Sequence, residues 1–313
     1  MTNFNYIIKR ILQIIPVMII VTILVFFLIR LIPGNPAQTL AGPYATREAV
    51  AALEKSMGLD KPLIVQFVIF VKNIFHFDFG NSYQYKQSVA SLLSGRIIVT
   101  ICLAVGSTFC MILMSVPLGY IAAANKDRLP DQLVRAFTLM GMAFPNFWLA
   151  IIFMIIFSIT LKLLPITAWG ADFPARVKGM ILPCVTLAIA NSAMMIRNLR
   201  NDIINVQESD YVLFARSTGL KKSLVRSRYI IRNAMIPFTT LTALRMVEML
   251  GGSIVIENVF SLPGIGSMLV SGILARDYAV VQAVVIFYVF VVQIANLITD
   301  IIYSFLDPRV RLQ

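Results

Sequence analysis

The sequence predicts an all-α integral membrane protein with about six transmembrane helices, and three observations predict it. Of its 313 residues, 58% are hydrophobic and only 13% charged, with a mean hydropathy of +0.83. A water-soluble domain of this length needs far more polar surface, so the bilayer is the solvent that fits. Apolar runs long enough to cross a bilayer recur at 11–31, 97–124, 136–164, 180–196, 235–256 and 280–305. Finally, Lys and Arg outnumber Asp and Glu by 27 to 15 and crowd at one set of span ends. That is how a membrane protein acquires a formal charge of +12 without binding nucleic acid. No basic stretch is interleaved with stacking aromatics in a soluble context.

The first run follows Lys9 and Arg10 but is too long for a signal peptide. It also lacks a small-x-small cleavage site before Pro33, so it reads as an uncleaved first helix. The next segment, 33–96, reads as an outer loop domain. Thr46 suits a helix N-cap, with Val50, Leu53 and Met57 on one stripe and Gly58 as a left-handed stop. Pro62 opens a second helix carrying Phe67, Val71 and Ile74 on one side. Phe77-Asp78-Phe79-Gly80 reads as a turn and residues 88–96 as a helical lead into the second span. These stripes predict a small cap packed on the spans. Residues 1–32 then form the first helix, and 97–313 form a core of five spans. The fourth span is expected to be short, starting at Pro183.

Orientation follows the short loops. Lys9, Arg10, Lys126, Arg128, Arg135, Arg309 and Arg311 share one side with a dense group running from Arg197 to Arg232. The opposite short loops carry Arg176, Lys178 and Arg276. Both termini are therefore expected in the cytoplasm.

The inner loop 197–234 is much longer than a simple helix connection. Ser209 or Asp210 suits the cap of a short helix through Tyr211, Phe214 and Ala215 that stops at Gly219. A second helix starts at Lys221-Lys222 and runs toward Pro237. Ala215 and Gly219, four residues apart, are expected to share a helix-end face free of bulky side chains. Arg216 and Lys222 flank it, ready to grip acidic rims. The residues alone leave two readings open: a surface for another protein, or an amphipathic hairpin on anionic headgroups.

The run Asp210-Tyr211-Val212-Leu213-Phe214-Ala215-Arg216-Ser217-Thr218-Gly219-Leu220, followed by Arg232-Asn233-Ala234 and Pro237, resembles a known signature. It is that of binding-protein-dependent ABC importer permeases of the dipeptide/oligopeptide/nickel family. Leu213 stands where other importer families open this pattern with an acid, a departure typical of the peptide-type subfamily. Further similar elements run in order along the chain: Pro33-Gly34-Asn35-Pro36, Gly58 to Leu63 with Gln66-Phe67, Asp78 to Ser82, Pro145 to Trp148, Phe260 to Gly266, and Leu306 to Arg309.

The resemblance implies a type I importer permease fold and the first of two paired permeases in a heterodimer. It implies two ATP-binding subunits, an extracellular substrate-binding protein and alternating access in a prokaryotic plasma or inner membrane. The coupling helix would comprise Asp210, Tyr211, Phe214, Ala215, Arg216, Gly219 and Leu220, with Lys222 behind it. Peptides are the implied cargo, nickel or a metal chelate the alternative. The chain holds no Gly-x-x-x-x-Gly-Lys-Ser/Thr loop, so it is expected to be no enzyme and to bind no cofactor, ATP and Mg lying on partners.

Inside the spans, Arg245 and Glu248 stand three residues apart on one face, read as either an ion pair or pathway-lining groups. Glu257 and Asp300 raise the same question, and Gly251-Gly252 permits close helix approach. The methionines at helical spacing read as packing, and Cys102, Cys110 and Cys184 as unpaired apolar residues rather than a metal site. Gly264 and Gly266 after Pro263 read as a tight or re-entrant outer turn before Arg276-Asp277-Tyr278, suited to a gate or binding-protein contact. An ion-coupled secondary transporter would explain the spans but not the long basic loop. An intramembrane enzyme lacks a catalytic pair.

Overall fold

The computed structural model describes residues 3–31, 36–42, 44–167 and 169–306. In chain order its elements are α1 (Asn3–Leu31), α2 (Pro36–Ala41), α3 (Arg47–Ser56), α4 (Leu63–Phe75), β1 (Asn81–Ser82), β2 (Gln87–Ser88), α5 (Val89–Ala124) and α6 (Leu129–Ala143). There follow α7 (Asn146–Phe153), α8 (Phe173–Gln207), α9 (Asp210–Ser217), α10 (Lys222–Leu224), α11 (Arg232–Val259), α12 (Ile265–Leu274) and α13 (Tyr278–Leu306). A π-helical segment at Met154–Thr160 prolongs α7, and another at Val225–Ile231 joins α10 to α11.

Among the described residues, five stretches are long and apolar enough to cross a bilayer: Arg10–Leu28, Val89–Ala124, Phe173–Gln207, Lys222–Val259 and Tyr278–Ile301. The expected third span is not one helix. It is α6 followed by α7 with its π-helical extension, bent by 103°. Pro145 disfavours helical backbone at the residue before it, and Phe144 is extended at φ −97° and ψ 133°. The fourth span also differs from expectation. Helix α8 is 35 residues long with Pro183 inside it, because packing from Gly179 onward outweighs one missing backbone donor. Its far end carries Arg197 and Arg200 on helix, so the inner connection is shorter than 197–234.

The chain forms two compact units, one of residues up to Ile98 with Pro263–Ile294, the other of Val99–Leu262 with the end of α13 from Ala295. In the first unit, α4 packs on α1 through aromatic contacts. Phe26 is fully buried, its ring 5.1 Å from Phe67 and 5.5 Å from Phe70. The Arg30 guanidinium lies 3.4 Å over the Phe26 ring and donates to Gln66 Oε1 at 2.8 Å. Gln66 in turn donates to the carbonyls of Leu59 and Lys61, so one side chain ties the cap to the first span. Thr46 caps α3 as expected, and Gly58 takes the left-handed stop at φ +67°. Met57, however, points outward.

A miniature hairpin pairs Asn81 with Ser88 and Ser82 with Gln87. It is clamped on the turn between α12 and α13. Buried Asp277 accepts from Ser82 Oγ at 2.6 Å and from the Gln84 N–H at 3.3 Å, while capping α13 at Val280 N. The Tyr83 hydroxyl donates to the Ala275 carbonyl, and burial, with Asp277 nearby, pushes its phenol up to about 12. The segment after Pro263 is therefore a ten-residue helix, α12, rather than only a tight turn.

The second unit is built on α8, which α6, α7 and α11 all contact. Its core includes Leu103, Met111, Leu187, Met195, Leu199, Phe238, Met249 and Ile256. Bilayer helices gain little hydrophobic drive from meeting each other, so small residues that allow close approach matter more. A Cβ on Gly106 would stand 2.7 Å from Cys184 Sγ, so α5 and α8 approach only because that side chain is missing. Cys102, Cys110 and Cys184 are free thiols, exposed, half-buried and buried in turn.

Candidate functional site

The signature loop begins where α8 ends. Ser209 takes the N-cap position of α9 at φ −73° and ψ 148°, but its hydroxyl donates back to the Val206 carbonyl at 2.6 Å and leaves the first turn uncapped. The amphipathic spacing decides which way the two turns of α9 face. Val212 (0% exposed) and Ala215 (3%) enter the core that contains Leu199, Ile203 and Ile204 of α8, with Val225 and Ile230 of the following π-helical segment. Phe214 (70%), Leu213 (52%) and Tyr211 (45%) stand outward, and Asp210, Arg216, Leu220 and Lys222 are also exposed.

This corrects one expectation. Ala215 and Gly219 do not share an exposed small-residue face, because Ala215 is small in order to seat α9 against its own core. Gly219 is open, and an added Cβ would meet nothing within 4 Å. Its requirement is conformational: φ is +75° and its N–H closes the helix on the Arg216 carbonyl at 3.1 Å. The outward surface is instead a patch of large apolar side chains. Arg216, Lys221, Lys222, Arg226, Arg228 and Arg232, all exposed, ring or follow it.

Two polar ties hold the neighbourhood. Lys126 meets Glu208 at 2.8 Å, and Arg226 donates to Tyr120 Oη at 3.1 Å. A third tie, which local pattern alone does not reveal, is buried. Asp131 in the first turn of α6 is fully covered and receives Arg200 of α8 in a two-pronged pair, Nε at 2.7 Å and Nη2 at 2.6 Å. Arg135 approaches the same carboxylate at 3.1 Å, and the Asp127 N–H donates to it at 2.9 Å. The hint in the sequence was Leu129-Pro130-Asp131, a helix start with an acid in its first turn and Arg135 one turn on.

The membrane-depth candidates are placed as follows. Arg245 and Glu248 form an ion pair along α11, and the guanidinium also touches Met194 Sδ. Glu248 is more than half exposed, Gly251 is open, and Gly252 would place a Cβ 3.3 Å from Leu187. Glu257 is fully buried and accepts from Thr100 at 2.7 Å and Ser253 at 3.3 Å. Asp300 is half-buried on α13. Pro33 to Asn35 and Asp307 to Arg309, with Arg311, lie outside the described residues.

Long apolar helices, a bent apolar pair in place of the third span and a short helix displayed between α8 and α11 make a multi-pass membrane protein. The chain belongs to the family of binding-protein-dependent transport system inner membrane components, the permease subunits of ABC importers. It matches that family's model over residues 115–312 and the model of its N-terminal part over residues 3–104.

Among curated proteins it is similar to a putative peptide transport system permease protein of Brucella abortus, 39% identical over 97% of this chain and 98% of the relative. It is also similar to the glutathione transport system permease protein GsiC of Salmonella typhimurium, 37% identical over 98% and 99%. Among solved structures, an amino acid ABC transporter shares the fold at 15% identity and a TM-score of 0.52, covering 68% of this chain and 94% of the other. The all-α, type I importer permease fold follows.

Proposed function

We propose that this chain is the first of two paired permeases in a peptide importer, and that α9 is where an ATP-binding subunit docks. The observation that carries the docking is the split character of α9. Val212 and Ala215 wedge it into the core, while Tyr211, Leu213 and Phe214 stay uncovered. A helix held this firmly and still showing three large apolar side chains has the form of a ball awaiting a socket.

The partners in this reading are a homologous second permease, two ATP-binding subunits that hold ATP and Mg, and an extracellular binding protein that delivers cargo. This chain supplies no nucleotide chemistry. Both termini lie in the cytoplasm, on the side of the basic loop. Peptide as cargo rests on the names of the relatives. ATP-driven closure of the motor subunits would push α9 and, through α8, open the pathway outward.

The test uses the complete transporter purified from membranes. Phe214→Asp removes a central apolar contact and places a charge at the interface. A hot-spot loss of about 2 kcal/mol or more is expected, and that lowers affinity roughly thirtyfold. Recovery of ATP-binding subunits with the permease pair should collapse while membrane insertion persists. Undiminished recovery would contradict docking at α9, and a wild-type transporter that takes up no peptide would contradict the cargo.

A further inference from the structure

Helix α8 has two jobs at its basic end. One face of its last turns, through Leu199, Ile203 and Ile204, shares a core with Val212 and Ala215 of α9. In the same turns, Arg200 reaches across to Asp131 at the start of α6. Helix α6 then runs to the 103° break at Phe144-Pro145. One short stretch of α8 therefore touches both the displayed helix and the root of the broken crossing.

The other α6–α8 contacts that the structure shows are apolar. A small cluster packs Val134 against Ile196 and Ala122. Further along, a Cβ on Gly141 would stand 3.5 Å from both Ala193 Cβ and Ile189 Cγ2. Apolar contacts of this kind carry no directional bond, so they fix register less strictly. A two-pronged guanidinium–carboxylate pair does fix it, because both bonds hold only in one register and one orientation. Nor is stability a sufficient reason for the pair. A buried ion pair is often matched or bettered by apolar residues of similar volume. The arrangement is also fully built on the carboxylate side: the Asp127 N–H, presented from a left-handed residue at φ +62°, and Arg135 complete its coordination.

We infer that Asp131 and Arg200 form a clamp that makes α6 move with α8, so that displacement of α9 reaches the broken crossing instead of being lost to slippage between the two helices. They are positioning residues for transport, acting through the helices they join. The inference rests on the proposal that α9 receives the motor. It adds the route by which that push arrives.

The test is made on the complete transporter, with its ATP-binding subunits and binding protein, reconstituted in liposomes. The double variant Asp131→Leu with Arg200→Met replaces the pair by apolar side chains and leaves no buried charge alone. Recovery of ATP-binding subunits and basal ATP hydrolysis should stay within about twofold of the parent, because 0.4 kcal/mol or less separates such values. Peptide uptake per ATP hydrolysed should fall about tenfold. Stimulation of hydrolysis by the binding protein, a readout independent of cargo, should fall with it.

Normal coupling in the double variant would overturn the clamp. If that variant fails to assemble, Arg200→Lys, which keeps the charge and loses the two-pronged geometry, decides the matter: normal coupling overturns the clamp and lowered coupling supports it. The two proposals fail separately. Undiminished subunit recovery in Phe214→Asp sinks docking at α9. Collapse there together with normal coupling in the clamp variants sinks the clamp alone.

Discussion

Gly219 shows how a position can be set by its backbone and not by its size. Its φ of +75° lies where a side chain costs roughly 1–2 kcal/mol, with glycine exempt and asparagine tolerated. An added Cβ meets no neighbour. Gly219→Asn should therefore keep peptide uptake within about twofold of wild type, whereas β-branched Gly219→Val should cut it several-fold. Equal loss in both variants would mean that the site needs space, against the geometry. Ala215 is the reverse case. It is set by space, buried beneath the same helix, and backbone freedom has no part in it. A four-residue spacing marks both positions in the sequence but does not say which constraint acts at which.

At the scale of elements, the hairpin of β1 and β2 is too short to stand by itself, since even full-length isolated hairpins are marginal in water. Asp277 holds it, 195 residues away from Ser82 in the chain. Removing that carboxylate leaves Ser82 and the Gln84 N–H without their acceptor and uncaps α13. Each such loss in a buried setting is worth about 1–3 kcal/mol. Asp277→Ala should open the hairpin, and trypsin should cut after exposed Lys86 at least tenfold faster than in wild type. An unchanged cleavage rate would show that the α12–α13 turn does not hold the hairpin. Helix α8 carries the complementary lesson. Pro183 marks a boundary for local propensity, yet a helix packed by α6, α7 and α11 runs through it. Tertiary contact outweighs one missing donor.

For the whole molecule, the asymmetry of charge determines the proposed sidedness. In that proposal the basic residues that follow α9 lie on the cytoplasmic side and the β-hairpin on the outer side. A phosphatase active only outside the cytoplasm should be active when inserted at Lys86 and inactive when fused after Gln313. The opposite pattern would reverse the topology and place α9 out of reach of any ATP-driven subunit. The clamp also belongs to this scale. It predicts that the push from a motor is transmitted by a few directional polar contacts where α8 meets the start of α6, where register and not adhesion is limiting.

Hydropathy and charge are sums over neighbouring residues, so the chain by itself determined most of its spans, the clustering of its basic residues, the helix capped by Thr46 and the short helix that ends at Gly219. Folding in three dimensions decided the rest. Phe144 and Pro145 break a run that hydropathy reads as continuous. Ala215 turns inward while Phe214 stays out. Asp131 finds Arg200 across 69 residues. Such pairings depend on where whole helices come to lie, and a local period of apolar residues says which face of a helix is buried but not which distant side chain will meet it there.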